Sequence, residues 1–223
     1  MIFPSLDRVK AIAPGYDIVP VYMEILSDVR TPISVLKALK QVSSHTYLLE
    51  SADNSNHWGR YSFLGYDPKI ELFCKNHKMT IKDGTTRTFE CSDPAAEIRN
   101  ILSQYKSPRL EELPTFTGGF VGYFACEYIR YIEPTLDFPT PDDDSAMVND
   151  VDLMLFDKVI AFDHYKNKIY LIANISTNDL ERNYNKAELE LKALADLVVN
   201  GKEADVPKGI LKTEFTSEFT KDE

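Results

Sequence analysis

Long apolar runs are missing from this 223-residue chain. No stretch approaches the ~20 consecutive apolar residues that a membrane-spanning helix needs. The N-terminus also lacks a basic region leading into an apolar segment and a small-residue cleavage site. The expectation is a cytoplasmic protein with no membrane contact. Cysteine is scarce: Cys74, Cys91 and Cys126 are too widely and unevenly spaced for a disulfide framework or paired metal ligands, and read as small buried hydrophobes. Histidines at 45, 57, 77 and 164 are scattered, with no helical His pair, so nothing argues for a bound metal. Positive charge is in deficit, 25 Lys plus Arg against 35 Asp plus Glu for a net charge of −10. That field repels nucleic acid and anionic surfaces. Internal repeats and low-complexity tracts are absent as well.

What is present is ordinary globular material, 43% hydrophobic and 27% charged, long enough to bury a sizeable core. Segments 19–26, 46–49 and 60–65 are rich in aromatic and β-branched residues and bounded by turn formers, which predicts strands. Segments 70–74, 78–82 and 86–90 continue the pattern, with Asp83-Gly84 as a hairpin turn because both residues tolerate positive φ. Segments 153–162 and 168–175 flank 163–167 and read as a second, longer hairpin.

Helices are fewer. Thr31-Pro32 offers a cap and a first turn before Ile33, Leu36 and Leu39, and Asp93-Pro94 does the same before Ala95, Ile98, Leu102 and Tyr105. The longest helix, over 179–200, repeats Leu180, Tyr184, Ala187, Leu191, Leu194 and Val198 at steps of three and four, with Gly201 as a stop. A short helix over 126–133 would end at Pro134. The expected fold class is α+β: mainly antiparallel β-sheet, sandwich-like, with about three to four helices packed outside. Residues 1–200 form one domain in this reading. Residues 201–223 are a polar linker leading into a further domain. Segment 138–144, with Asp142-Asp143-Asp144, is a solvated loop, since adjacent carboxylates seldom converge on a cation.

Two stretches carry chemistry. In 47–66 an apolar run ends in Leu49-Glu50-Ser51, and after a polar turn come Trp58, the only tryptophan, then Arg60 and Tyr61. A carboxylate beside a hydroxyl can satisfy an ammonium, a guanidinium can pair with a carboxylate, and aromatic walls can cover a ring. A zwitterionic aromatic ligand would find all three here. The same residues also fit a core strand with a polar turn and a solvated edge. In 116–124 three glycines, Gly118, Gly119 and Gly122, interrupt an aromatic strand, marking a bulge or close backbone approach. Their spacing matches neither the dinucleotide fingerprint nor a phosphate loop.

Taken in order, Pro20-Val21-Tyr22, Leu48-Leu49-Glu50-Ser51, Trp58-Gly59-Arg60-Tyr61-Ser62-Phe63-Leu64-Gly65, Asp67-Pro68, Gly118-Gly119-Phe120-Val121-Gly122-Tyr123 and Arg130-Tyr131-Ile132-Glu133 resemble the N-terminal region of the anthranilate synthase component I family. The likeness departs from the family pattern at Ala125-Cys126-Glu127, where Gly-Tyr-Asp is common.

The resemblance implies part of a lyase that converts chorismate and ammonia or glutamine to anthranilate and pyruvate in tryptophan biosynthesis. It implies a following chorismate-binding domain, a glutamine amidotransferase subunit as partner, and magnesium in the full-length enzyme, with its ligands and all catalytic residues outside this chain. This chain alone would be inactive. The Leu-Leu-Glu-Ser motif implies that L-tryptophan binds as feedback inhibitor at Leu49, Glu50 and Ser51, with Arg60, Trp58 and Tyr61 completing this side of the pocket. A Pro-Tyr-Met-like segment of the catalytic domain would form the other wall. Aminodeoxychorismate synthase component I, in the folate pathway, and a purely structural or docking domain are the alternatives.

Overall fold

The computed structural model describes residues 1–28, 30–50, 59–133, 135, 148–204, 209–210 and 212. Its elements run α1 (Leu6–Ile12), β1 (Ile18–Leu26), α2 (Pro32–Leu39), β2 (Thr46–Glu50), β3 (Tyr61–Tyr66), β4 (Ile70–Lys75), β5 (Lys78–Lys82), β6 (Thr86–Glu90), α3 (Pro94–Leu102), β7 (Gly119–Phe124), α4 (Ile129–Ile132), β8 (Val151–Phe156), β9 (Lys158–Asp163), β10 (Lys168–Ser176) and α5 (Leu180–Asn200). A single 3₁₀ turn, Cys126–Tyr128, leads into α4. The class is α+β and mainly antiparallel, as expected. Two five-stranded sheets have the orders β1-β10-β9-β3-β2 and β6-β5-β4-β8-β7.

The first sheet has two apolar faces. One carries Val19, Val21, Leu64, Ile160, Phe162 and Leu171 under the stripe Tyr184, Ala187, Leu191, Leu194 and Val198 of α5. This is the stripe that the helical spacing predicts. Helices α1 and α2 join α5 there through Val9, Val35 and Leu39. The cap that Thr31 was expected to form is present, its hydroxyl accepting from the Ser34 amide while the Ser34 hydroxyl accepts from the Thr31 amide. The other face carries Tyr22, Val159, Ala161, Tyr170 and Ile172, covered by Leu110 and Leu113, with Phe63 and Phe116 packed beside them. The second sheet buries Leu72, Cys74, Met79, Ile81, Leu153 and Leu155 against Ile98 and Ile101 of α3.

One strand assignment changes. The run 153–162, expected as one arm of a hairpin, divides at Asp157: β8 pairs with β4 and β7 in the second sheet, while β9 pairs with β10 and β3 in the first. Asp157 is the polar break in that run, and a two-fold pleat cannot keep both arms in one sheet when their neighbours differ. The turn 164–167 between β9 and β10 is where it was expected. A second crossing lies alongside at Asp67, with φ of 53°, and the Lys69 amide donates to the Leu155 carbonyl at 2.7 Å. The Asn174 side chain of β10 closes the junction, donating to the Thr117 carbonyl at 2.7 Å and the Asp157 carbonyl at 3.1 Å. Burial pushes the Asp157 carboxyl above its usual range, and nearby Lys158 and Lys69 offset this only in part.

The glycine segment becomes β7, held by close approach as its composition predicts. A Cβ at Gly122 would overlap the Asp152 carbonyl oxygen, and one at Gly118 would crowd Asn174 and the Phe156 carbonyl. Cys74 and Cys91 are buried as expected, whereas Cys126 is exposed at the 3₁₀ turn. Tyr131 of α4 donates to the buried Asp150 carboxylate at 2.8 Å and fastens that helix to the sheet. Segment 138–144 lies outside the described residues, as does most of 205–223. The start of the polar stretch is tied down: Arg30 donates to the Gly201 carbonyl and pairs with Glu203, and the Ala204 amide donates to the Lys37 carbonyl.

Candidate functional site

Strands β2 and β3 bring the two halves of the 47–66 stretch together. Leu49 lies opposite Phe63 and Glu50 opposite Ser62. Side chains alternate across a strand, so Leu49, Phe63 and Tyr61 share one face and Glu50 and Ser62 the other. On the first face Leu49 is 46% exposed at the sheet edge. The Tyr61 and Phe63 rings stack at 5.7 Å, and Phe63 meets Phe116 edge-on at 5.4 Å. These make the wall that an aromatic ligand would need.

Arg60 reaches the same face. Its Nε donates to Asp163 Oδ1 at 3.0 Å and its Nη2 to Oδ2 at 2.6 Å, a fork-on-fork contact. The guanidinium lies over the Tyr61 ring at 4.8 Å and the Tyr165 ring at 5.5 Å. Asp163 is wholly buried at the end of β9. It also accepts from the amides of Tyr165 and Lys166, which fixes the turn that presents Tyr165. Burial pushes the Asp163 carboxyl upward, but the Arg60 hydrogen bonds and the two amides outweigh it and hold it below the usual range.

Of the sequence-predicted residues, Leu49, Arg60 and Tyr61 therefore meet on one face. Strand alternation puts Glu50 on the other, with Ser62, whose hydroxyl lies 2.7 Å from His164 Nε2. Ser51 and Trp58 lie outside the described residues. Sequence reasoning missed Asp163 and Tyr165. The available signal was an acid closing a β-branched and aromatic run before a Tyr-Lys-Asn turn, and no spacing ties it to Arg60, 103 residues earlier. Among the described residues no group of three or more His, Cys, Asp or Glu side chains could hold a metal ion. No helix among them is long and apolar enough to cross a membrane.

No family model matches the chain. Individual proteins do. Anthranilate synthase component 1 of Acetivibrio thermocellus is 36% identical over 197 residues, covering 87% of this chain and 39% of that protein. The Acinetobacter calcoaceticus protein of the same name is 39% identical over 189 residues, covering 82% of this chain and 37% of the relative. A solved anthranilate synthase component I from Streptococcus pneumoniae TIGR4 superposes on 75% of this chain at 26% identity with a TM-score of 0.46, and on 36% of its own length. The chain thus spans well under half the length of the curated relatives it matches, and over that span it belongs to the anthranilate synthase component I family.

Proposed function

We propose that this chain is the regulatory portion of an anthranilate synthase component I and holds one half of a tryptophan feedback site. The observation that carries the reading is the meeting of Leu49, Tyr61 and Arg60 at one open sheet end, an apolar edge and aromatic wall beside a fixed cation. An indole would lie against the wall and its carboxylate would face the guanidinium. The sequence motif would have Ser51 and Glu50 take the ammonium and Trp58 add an aromatic side; Ser51 and Trp58 lie outside the described residues, and the strand register sets Glu50 on the opposite face from Leu49. The relatives' greater length leaves room for the chorismate-binding portion that supplies the other wall, the catalytic residues and the magnesium site, and for docking of a glutamine amidotransferase subunit. The product would be anthranilate with pyruvate, and this chain alone would be inactive.

Inhibition follows if tryptophan binds one relative orientation of the two portions better than another, because a ligand shifts an equilibrium only by its difference in affinity. The test is anthranilate formation by the polypeptide joined to its chorismate-binding portion, followed by fluorescence as tryptophan is added. Ser51→Ala should raise the half-inhibitory concentration about tenfold, the size of one hydrogen bond to a charged group. Unchanged inhibition would remove the feedback reading. The same assay separates anthranilate from aminodeoxychorismate as product.

A docking role rests on a different observation. Strand β7 is the outer strand of its sheet, and Tyr123, Phe124, Ile129 and Ile132 are exposed around it. Tryptophan inhibition of the polypeptide joined to its chorismate-binding portion distinguishes the two, since a purely docking role predicts none. Calorimetry of the 223-residue chain with tryptophan tests for autonomous binding, and tight binding would remove the composite site. The composite-site reading expects weak or undetectable binding by this half alone.

A further inference from the structure

The Arg60 guanidinium is not free to meet a ligand in any direction. Its Nε and Nη2 edge is taken by Asp163, the Tyr61 and Tyr165 rings lie 4.8 and 5.5 Å from the guanidinium carbon, and its side chain remains 36% exposed. Among the described residues nothing accepts from Nη1. A long arginine side chain loses much rotamer freedom when it is ordered, and here that loss is met in the fold, before any ligand arrives. The carboxylate that orders it is wholly buried and is itself held by two backbone amides of the β9–β10 turn.

We infer that Asp163 is a positioning residue: it locks Arg60 so that the Nη1 edge alone points outward, and this sets the site's preference for an aromatic ligand carrying a carboxylate over the same ring without one. The inference rests on the proposed tryptophan reading and deepens it. Asp163 touches no ligand itself. Its effect passes wholly through Arg60, and Tyr165, presented by the turn that Asp163 fixes, adds a ring against the guanidinium.

The experiment compares inhibition by tryptophan and by tryptamine, which lacks the carboxylate, in the polypeptide joined to its chorismate-binding portion. The ratio of the two half-inhibitory concentrations is the readout. A merely structural loss weakens both ligands together and leaves the ratio alone. Asp163→Asn should reduce the preference for tryptophan about tenfold, equivalent to one charge-assisted hydrogen bond. Arg60→Lys keeps the charge but loses the fork, and should reduce it by a similar factor. Adding Asp163→Asn to Arg60→Lys should change the ratio no further, because the acid acts through the arginine. Equal weakening of both ligands, an unchanged ratio, or losses that add in the double variant would each overturn the inference. If Asp163→Asn does not fold, an unchanged ratio in Arg60→Lys overturns it alone. Failure of tryptophan to inhibit the unsubstituted protein would instead remove the feedback reading beneath it.

Discussion

At the residue scale two acids carry opposite pH dependences. Asp163 is depressed in the fold, so its contribution to stability is present above its unfolded value near pH 3.9 and is lost as pH falls through the lower folded value. Chemical denaturation of the native chain and Asp163→Asn should therefore show native ahead at neutral pH, with the gap closing below about pH 4. Asp157 is the reverse, since its folded value is raised by burial and ionisation works against the fold. Asp157→Asn should raise the thermal midpoint at pH 7, and the gain should vanish as pH falls below about 4, where both states of the carboxyl are protonated. Gly122 makes a third case at this scale. Gly122→Ala sets a methyl into the Asp152 carbonyl and should destabilise by about 2–4 kcal/mol in urea titration, because backbone rather than a flexible side chain must yield.

At the scale of elements one joint between the sheets is a side chain. The Asn174 amide of β10, in the first sheet, serves the carbonyls of Thr117, just before β7, and Asp157, between β8 and β9, and Asn174→Ala would leave both without that donor. The expected loss is about 1–3 kcal/mol, measured by urea denaturation. Elements with strong local signals were readable from the sequence: α5 through its six-position stripe, α2 and α3 through Thr31-Pro32 and Asp93-Pro94, and the β5–β6 hairpin through Asp83-Gly84. Helix α1, only seven residues with one fully buried position, Val9, gave too little period to be seen. The division of 153–162 was hidden because apolar content reports burial and not which sheet supplies it. The site shows the same limit. Leu49, Arg60 and Tyr61 were legible because they are close in sequence, while the partner that orders Arg60 comes from β9 and is a product of sheet order alone. Glu50 was legible as a charge, but its face depended on a register that periodicity does not fix.

At the scale of the whole molecule the two sheets share one connected junction at Asp67, Asp157, Asn174 and the start of β7. They should therefore unfold together. Leu72→Ala opens a cavity in the second sheet alone and should cost about 2–5 kcal/mol. Hydrogen exchange should show the amides of β9 and β10, in the other sheet, losing protection by a matching amount. Unaltered protection there would mean two independent units.

Strand order has one more consequence, and it concerns time. The second sheet is built from β4 to β8, consecutive strands lying wholly between β3 and β9, whereas the first sheet pairs Ile18 with Ser176 and Leu26 with Lys168. A chain emerging from the ribosome completes the inner sheet while β1, β2 and β3 still wait for β9 and β10. The contact between Arg60 and Asp163 thus closes only once β9 has emerged, after every strand of the second sheet.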